Sequence, residues 1–235
     1  GVYSILLGDN ANYNNTAGSN VIAIGFGAGA HSSAGQTNTI LIGYQAGDAG
    51  AGPTNSTLIG HHAYGAATGH AQYITGLGGY ALHGSAATTT GINGAVAIGY
   101  KSLYAITSGA GNTAVGYESG VAITSGARNT AIGYQSALNN VTGTDGTFVG
   151  YQSGLNVLLN NNTGVGAYTF QKIGTTGGGG AGEGNTALGT FAMSGGDDTV
   201  ANNTAKNNVA VGYATLGGAT KSSDGSAFTT NSSVA

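Results

Sequence analysis

Aliphatic and β-branched residues return along this chain at a near-constant interval, each time two residues apart and just ahead of a glycine. Aligned on that glycine, the copies are anchored at Gly8, Gly25, Gly43, Gly60, Gly78, Gly99, Gly116, Gly133, Gly150, Gly166, Gly189 and Gly212, at intervals of 16 to 23 residues. With the glycine as position 0, position −1 is a branched aliphatic in every copy, as in Ile98, Val115, Ile132 and Val149. Position −3 is β-branched in every copy, as in Val96, Thr113, Thr130 and Thr147. The residue between them is often small, such as Ala97, Ala114 or Ala131.

Residues two apart share one face of a strand, and β-branched residues favour strands. Each copy therefore predicts a short strand with positions −3 and −1 turned inward, ended by a glycine that permits a bend. An aromatic commonly follows (Phe26, Tyr44, Tyr100, Tyr117, Tyr134, Tyr151, Tyr213), and position +3 is small throughout, as in Ala46, Ser119 and Ser136. The matching segments 105–109 and 122–126 predict a second strand and a glycine turn. Asn112, Asn129, Asn162, Asn185 and Asn208 fall in one column, where stacked side-chain amides form ladders.

These columns predict an all-β fold, a parallel β-solenoid of about twelve coils over residues 1–216. Residues 217–235 form a Ser/Thr/Gly-rich tail. With strands about 4.8 Å apart, the rod is on the order of 55 Å long. So narrow a roll buries little apolar surface per residue ordered. A second face packed against identical chains is expected.

Composition narrows the function classes. Of 235 residues 47 are glycine, charged residues are 6%, and the net charge is −3. Single scattered cations exclude the basic stripe that nucleic-acid binding needs. No cysteine is present, and no run of 18 apolar residues spans a membrane. The chain opens on Gly1 rather than Met, so a processed or excised part of a longer protein is expected.

The run Asn129-Thr-Ala-Ile-Gly-Tyr-Gln-Ser136, with its copies at Asn112–Ser119 and Gly146–Ser153, resembles the head repeats of trimeric autotransporter adhesins. Their Ser-Val-Ala-Ile-Gly core is close to Ala95-Val-Ala-Ile-Gly99. The Asn-Thr-Ala-Val-Gly-Tyr version is more similar still to fibre proteins of tailed phages and some algal viruses. The resemblance spans roughly residues 4–216. It implies a left-handed β-roll, three chains side by side as a homotrimer, and use as a rigid attachment fibre in a virion. The implied partners are a host cell-surface glycan or protein receptor and other virion tail proteins. Such fibres often end in a self-cleaving chaperone, and the resemblance implies that the Ser/Thr/Gly-rich tail from Gly217 either precedes that module or is what its cleavage leaves. The alternative is a bacterial adhesin head on the cell surface.

Candidate chemistry is sparse. The eight acids lie in different columns, and the adjacent pair Asp197-Asp198 would face opposite ways on a strand, so no active site is expected. His31, His61, His62, His70 and His83 read as surface or turn residues. No cofactor or metal is expected. The long copies after Gly166 and Gly189 carry the candidate receptor loops. Tyr168 and Phe170 could stack on sugars, with Thr175, Thr176, Glu183, Asp197, Asp198, Asn202 and Asn203 nearby. The last four are oxygen ligands of the kind that hold calcium, but they lack the nonapeptide calcium pattern. Ice binding is a further class, disfavoured because the threonine column shares its face with aliphatics and is expected to be buried.

Overall fold

The computed structural model describes residues 3–15, 18–31, 35–48, 50, 52–67, 69–84, 91–157, 160–171, 183–194 and 206–216. Each repeat contributes one strand. In chain order these are β1 (Ile5–Leu7), β2 (Val21–Ile24), β3 (Thr39–Ile42), β4 (Thr57–Ile59), β5 (Thr75–Leu77), β6 (Val96–Ile98), β7 (Thr113–Val115), β8 (Thr130–Ile132), β9 (Thr147–Val149), β10 (Thr163–Val165), β11 (Thr186–Leu188) and β12 (Val209–Val211). They form a single parallel sheet in sequential order, which makes the chain a β-solenoid with no helix among the described residues.

The register is the repeat itself. Thr113 pairs with Thr130, Ala114 with Ala131 and Val115 with Ile132, and the other strands align by the same columns. The insertions in the last copies leave it intact, since Thr163 still pairs with Thr186 and Thr186 with Val209.

The anchor glycine stops each strand. Gly116 has φ of +136°, a conformation open to glycine, and a β-carbon there would strike the carbonyl of Gly133 in the next coil. Positions +2 and +4 then adopt left-handed backbone, as at Glu118 (φ 52°) and Gly120 (φ 60°). These turns still spend their amides between coils. Glu118 N donates to Tyr100 O at 2.9 Å on one side, and Gly120 N to Ser136 O at 2.8 Å on the other.

The strand faces are the reverse of the expected assignment. In β7 and β8 the small middle residues, Ala114 and Ala131, are buried, while Thr113, Val115, Thr130 and Ile132 face outward, half-buried or exposed. The interior explains this. Each coil also turns in position +3, the +4 side chain and the aliphatics Ile106, Ile123 and Val157 of the far arc. The width that remains opposite the strand suits an alanine. Where position −2 is large, another residue yields. Phe148 fills the space beside Gly154, and Leu41 that beside Gly47.

The expected second strand is absent among the described residues. Segments 105–109 and 122–126 are turns, although Thr107 N still donates to Thr124 O at 2.8 Å and Thr124 N to Val141 O at 2.9 Å. The far arc bends too sharply for an extended run. Ile106 points inside, and Gly109 runs so close to Gly126 that a β-carbon would meet its carbonyl. Isolated bridges linking Thr37, Thr54 and Gln72 are the nearest approach to a second sheet.

Buried polar columns tie the coils together. Asn129 Nδ2 donates to Asn112 Oδ1 at 3.1 Å, Asn185 Nδ2 to Asn162 Oδ1 at 3.3 Å and Asn208 Nδ2 to Asn185 Oδ1 at 3.0 Å. The ladder is interrupted at Gly146, whose own N–H reaches Asn129 Oδ1 at 2.9 Å. At position +3, Ser102, Ser119, Ser136 and Ser153 donate to the carbonyls of Ala114, Ala131, Phe148 and Gly164, the inward strand residues of the following coil. Satisfied buried polar groups of this kind fix one register, because a slip would leave them unpaired.

Candidate functional site

The solenoid presents two repeated surfaces. On the strands, positions −3 and −1 make parallel outward rows. One is largely threonine (Thr113, Thr130, Thr147, Thr163) and the other aliphatic (Ile98, Val115, Ile132, Val149). Ile132 is 39% exposed and Leu188 47%, so an apolar row lies open along the single chain.

The second surface is the corner after the anchor glycine. There the aromatics stack from coil to coil. The rings of Tyr100, Tyr117, Tyr134 and Tyr151 follow one another at 5.4, 5.3 and 5.2 Å. Phe26, Tyr44 and His61 continue the pattern at 5.5 and 5.2 Å. The regular coil spacing sets this stack, since the column places one ring per coil on the same corner. Beside it runs an amide row. Gln135 Nε2 donates to Glu118 Oε2 at 2.9 Å, and Gln152 Nε2 to Gln135 Oε1 at 2.8 Å. The Glu118 carboxylate, ahead of burial and neighbouring tyrosines, pushes the Tyr117 hydroxyl above its usual range.

The expected receptor residues separate in space. Tyr168 is half-buried at the corner, its ring stacked on Phe191 at 4.9 Å and edge-on to Tyr151 at 5.1 Å. Partial burial, then Tyr151, raises its pKa. Phe170 corrects the reading of it as an exposed sugar platform. It is fully buried at position +4, over the space left by Gly164, and edge-on to Phe148 at 6.3 Å. Left-handed backbone at Phe170 (φ 51°) directs its side chain into the core. Glu183 accepts from Asn160 Nδ2 at 3.3 Å and lies 3.9 Å from Lys206 Nζ, contacts that join neighbouring coils. Thr175, Thr176, Asp197, Asp198, Asn202 and Asn203 lie outside the described residues.

The histidines are less scattered than their sequence positions imply. His61 and His62 have ring centroids 4.3 Å apart, and His62 lies 6.2 Å from His83, among Tyr44, Tyr80 and Tyr104. Burial, followed by the charges of His61 and His83, lowers the pKa of His62. Burial likewise lowers that of His83. Among the described residues no group of three or more His, Asp or Glu is placed to hold a metal ion.

Two of the acids are held by partners one coil away. The Asp48 side chain is only 6% exposed, and its Oδ1 lies 2.7 Å from both the backbone nitrogen and Nδ1 of His31. Asp145 is held by Arg128 in a two-pronged pair at 2.6 and 2.8 Å. That contact could have been anticipated, since the two residues are 17 apart, one coil spacing.

No protein-family model, no curated protein and no solved structure matches this chain.

Proposed function

We propose that this chain is a structural and adhesive segment of a virion tail fibre, three copies packed side by side, that serves attachment to a host surface. The outward aliphatic row along the sheet is the observation that carries this reading. A monomer would leave Ile59, Ile98, Ile132 and Leu188 in water along the length of the rod. Contiguous apolar strips of that extent mark protein interfaces. A three-fold arrangement would bury all three rows against one another, and the rod would gain stiffness from the second core. The repeat's resemblance to viral fibre and adhesin heads supports both the trimer and the attachment role.

Light scattering and sedimentation of the purified chain test the assembly. A particle of three 22.7 kDa chains is expected. Ile132→Lys together with Val115→Lys is expected to give monomers, because three like charges would meet at each level of the interface. A monomeric parent protein would sink the trimer. Fluorescently labelled protein that fails to bind any candidate host cell would sink the attachment role.

One observation favours a second reading. The threonine row shares its face with the aliphatics, as expected, but in the single chain that face is outward rather than buried. A parallel sheet with outward threonines repeated once per coil is the kind of array an ice-binding surface uses. Thermal hysteresis in dilute solution would favour that use and count against burial of the same face in a trimer.

A further inference from the structure

Position +2 carries a side chain on left-handed backbone in every coil but one. Asn10, Gln45, His62, Tyr80, Lys101, Glu118, Gln135, Gln152, Tyr168, Phe191 and Ala214 fill the column, but in the second coil it holds Gly27. A pocket of about 270 Å³ opens there, lined by Asn10, Tyr13, Asn14, Phe26, Gly27, Ala30, His31, Gln45 and Asp48. A β-carbon at Gly27 would sit 3.2 Å from Gln45 Cγ and 4.0 Å from both Gln45 Nε2 and Asp48 Oδ2. The gap therefore faces one amide donor and one carboxylate acceptor. In the coils of residues 118–152 the matching space holds side chains bonded in series, with Gln135 between Glu118 and Gln152.

The walls suit a sugar ring. Phe26, stacked on Tyr44, and the exposed Tyr13 offer aromatic surface, while Asn10 and Asn14 offer amides to hydroxyl groups. His31, whose Nδ1 lies 2.7 Å from Asp48 Oδ1, adds a polar ring to the lining. A carboxylate held by the His31 backbone N–H is a fixed reference for a ligand.

We infer that this pocket binds an N-acetylated hexosamine. Its acetamido group would take the place of the missing side chain, with the carbonyl accepting from Gln45 Nε2 and the N–H donating to Asp48 Oδ2. The pyranose would lie against Phe26 and Tyr13. The inference rests on the attachment reading for its purpose, because it names the class of surface glycan recognised. It also moves the recognition site from the long C-terminal copies to the first coils.

The chain should be titrated with N-acetylglucosamine, N-acetylgalactosamine, glucose and galactose, read by saturation-transfer NMR and calorimetry. Binding of at least one N-acetylated sugar, at least tenfold tighter than its parent hexose, is expected. Gly27→Gln fills the gap with a residue that the column already accepts at Gln45, Gln135 and Gln152. It is expected to weaken binding at least tenfold without lowering the melting temperature. Tyr13→Ala, at an exposed position, is expected to weaken it at least threefold. Equal binding of hexoses, no binding of either acetamido sugar, or full binding by Gly27→Gln with Tyr13→Ala also silent would overturn the inference. Cell binding separates the two proposals: a parent chain that binds cells as well as Gly27→Gln does removes this pocket and leaves the fibre role standing. A parent chain that binds the sugar but no cell does the opposite.

Discussion

Phe148 occupies the space that a side chain at Gly154 would need, and one coil later Phe170 occupies the space that one at Gly164 would need. Positions −2 and +4 of one coil thus share a single interior volume, and the large residue can come from either side. Leu41 and Gly47 follow the Phe148 arrangement, while the space beside Gly76 is shared by Leu82 and by Leu58 of the preceding coil. Interiors pack at crystal-like density, so the sum of the two volumes is constrained more tightly than either residue.

Exchanging the pair tests this. Phe148→Gly alone is expected to cost about 4 kcal/mol, because it empties a ring-sized volume. Gly154→Phe alone is expected to cost at least as much through overpacking. The double exchange is expected to recover at least half of the summed loss in urea denaturation. Additive losses would show that the two positions do not share one volume.

The anchor glycines are expected to be the least replaceable residues. Gly116→Ala combines a disfavoured φ of +136° with a β-carbon in contact with the Gly133 backbone. A loss of roughly 3 kcal/mol or more is expected. Gly120→Ala, at φ of +60°, keeps a left-handed conformation that alanine already takes at Ala137. Its β-carbon would press on Ile123 and Leu103 side chains, which can shift. The midpoint for Gly120→Ala should lie closer to the parent's.

Asn129 is expected to be the costliest asparagine to remove. Its Nδ2 donates to Gly143 O at 2.7 Å, and its Oδ1 accepts from Gly146 N at 2.9 Å, both in buried surroundings. Asn129→Ala strands these backbone groups, and a loss of about 2–4 kcal/mol is expected. Asn38→Ala, in an exposed ladder with Asn20 and Asn55, is expected to change stability by less than about 0.5 kcal/mol. Thermal melts of the two variants side by side give the comparison.

Acidification should loosen the coils that carry His62 and His83. Both have folded pKa values below 6.5, so the unfolded chain binds protons that the folded chain refuses. Their contribution is complete above about pH 6.5 and is lost progressively as pH falls below it. The melting temperature is expected to fall between about pH 7 and pH 5, and His62→Gln with His83→Gln to flatten that fall. Asp145 has the usual carboxylate sign. Its pKa is lowered by the Arg128 hydrogen bonds, so its support is lost only at lower pH, and salt should weaken it because the pair is exposed.

The repeat by itself determined the parallel order and the register, because every strand pairs column to column, but it also predicted a second strand per coil that segments 105–109 and 122–126 do not form. It also marked the asparagine ladder, since Asn112 and Asn129, and Asn162, Asn185 and Asn208, recur in one column of successive coils. Which face of the strand is inside was decided only in three dimensions. A period of two says that Thr113 and Val115 share a face, and it is satisfied equally whether that face is inward or outward. The choice fell to the interior width, set by residues of the far arc such as Ile106 and Ile123, which reach the strand only across the folded coil. Phe170 was unreadable for a related reason. Its left-handed backbone turns an aromatic from a surface loop into the core, and local sequence carries no sign of that φ. The gap at Gly27 is likewise a property of three successive coils. In the sequence it is one more glycine among 47, and it becomes a pocket only when Asn10 and Gln45 flank it.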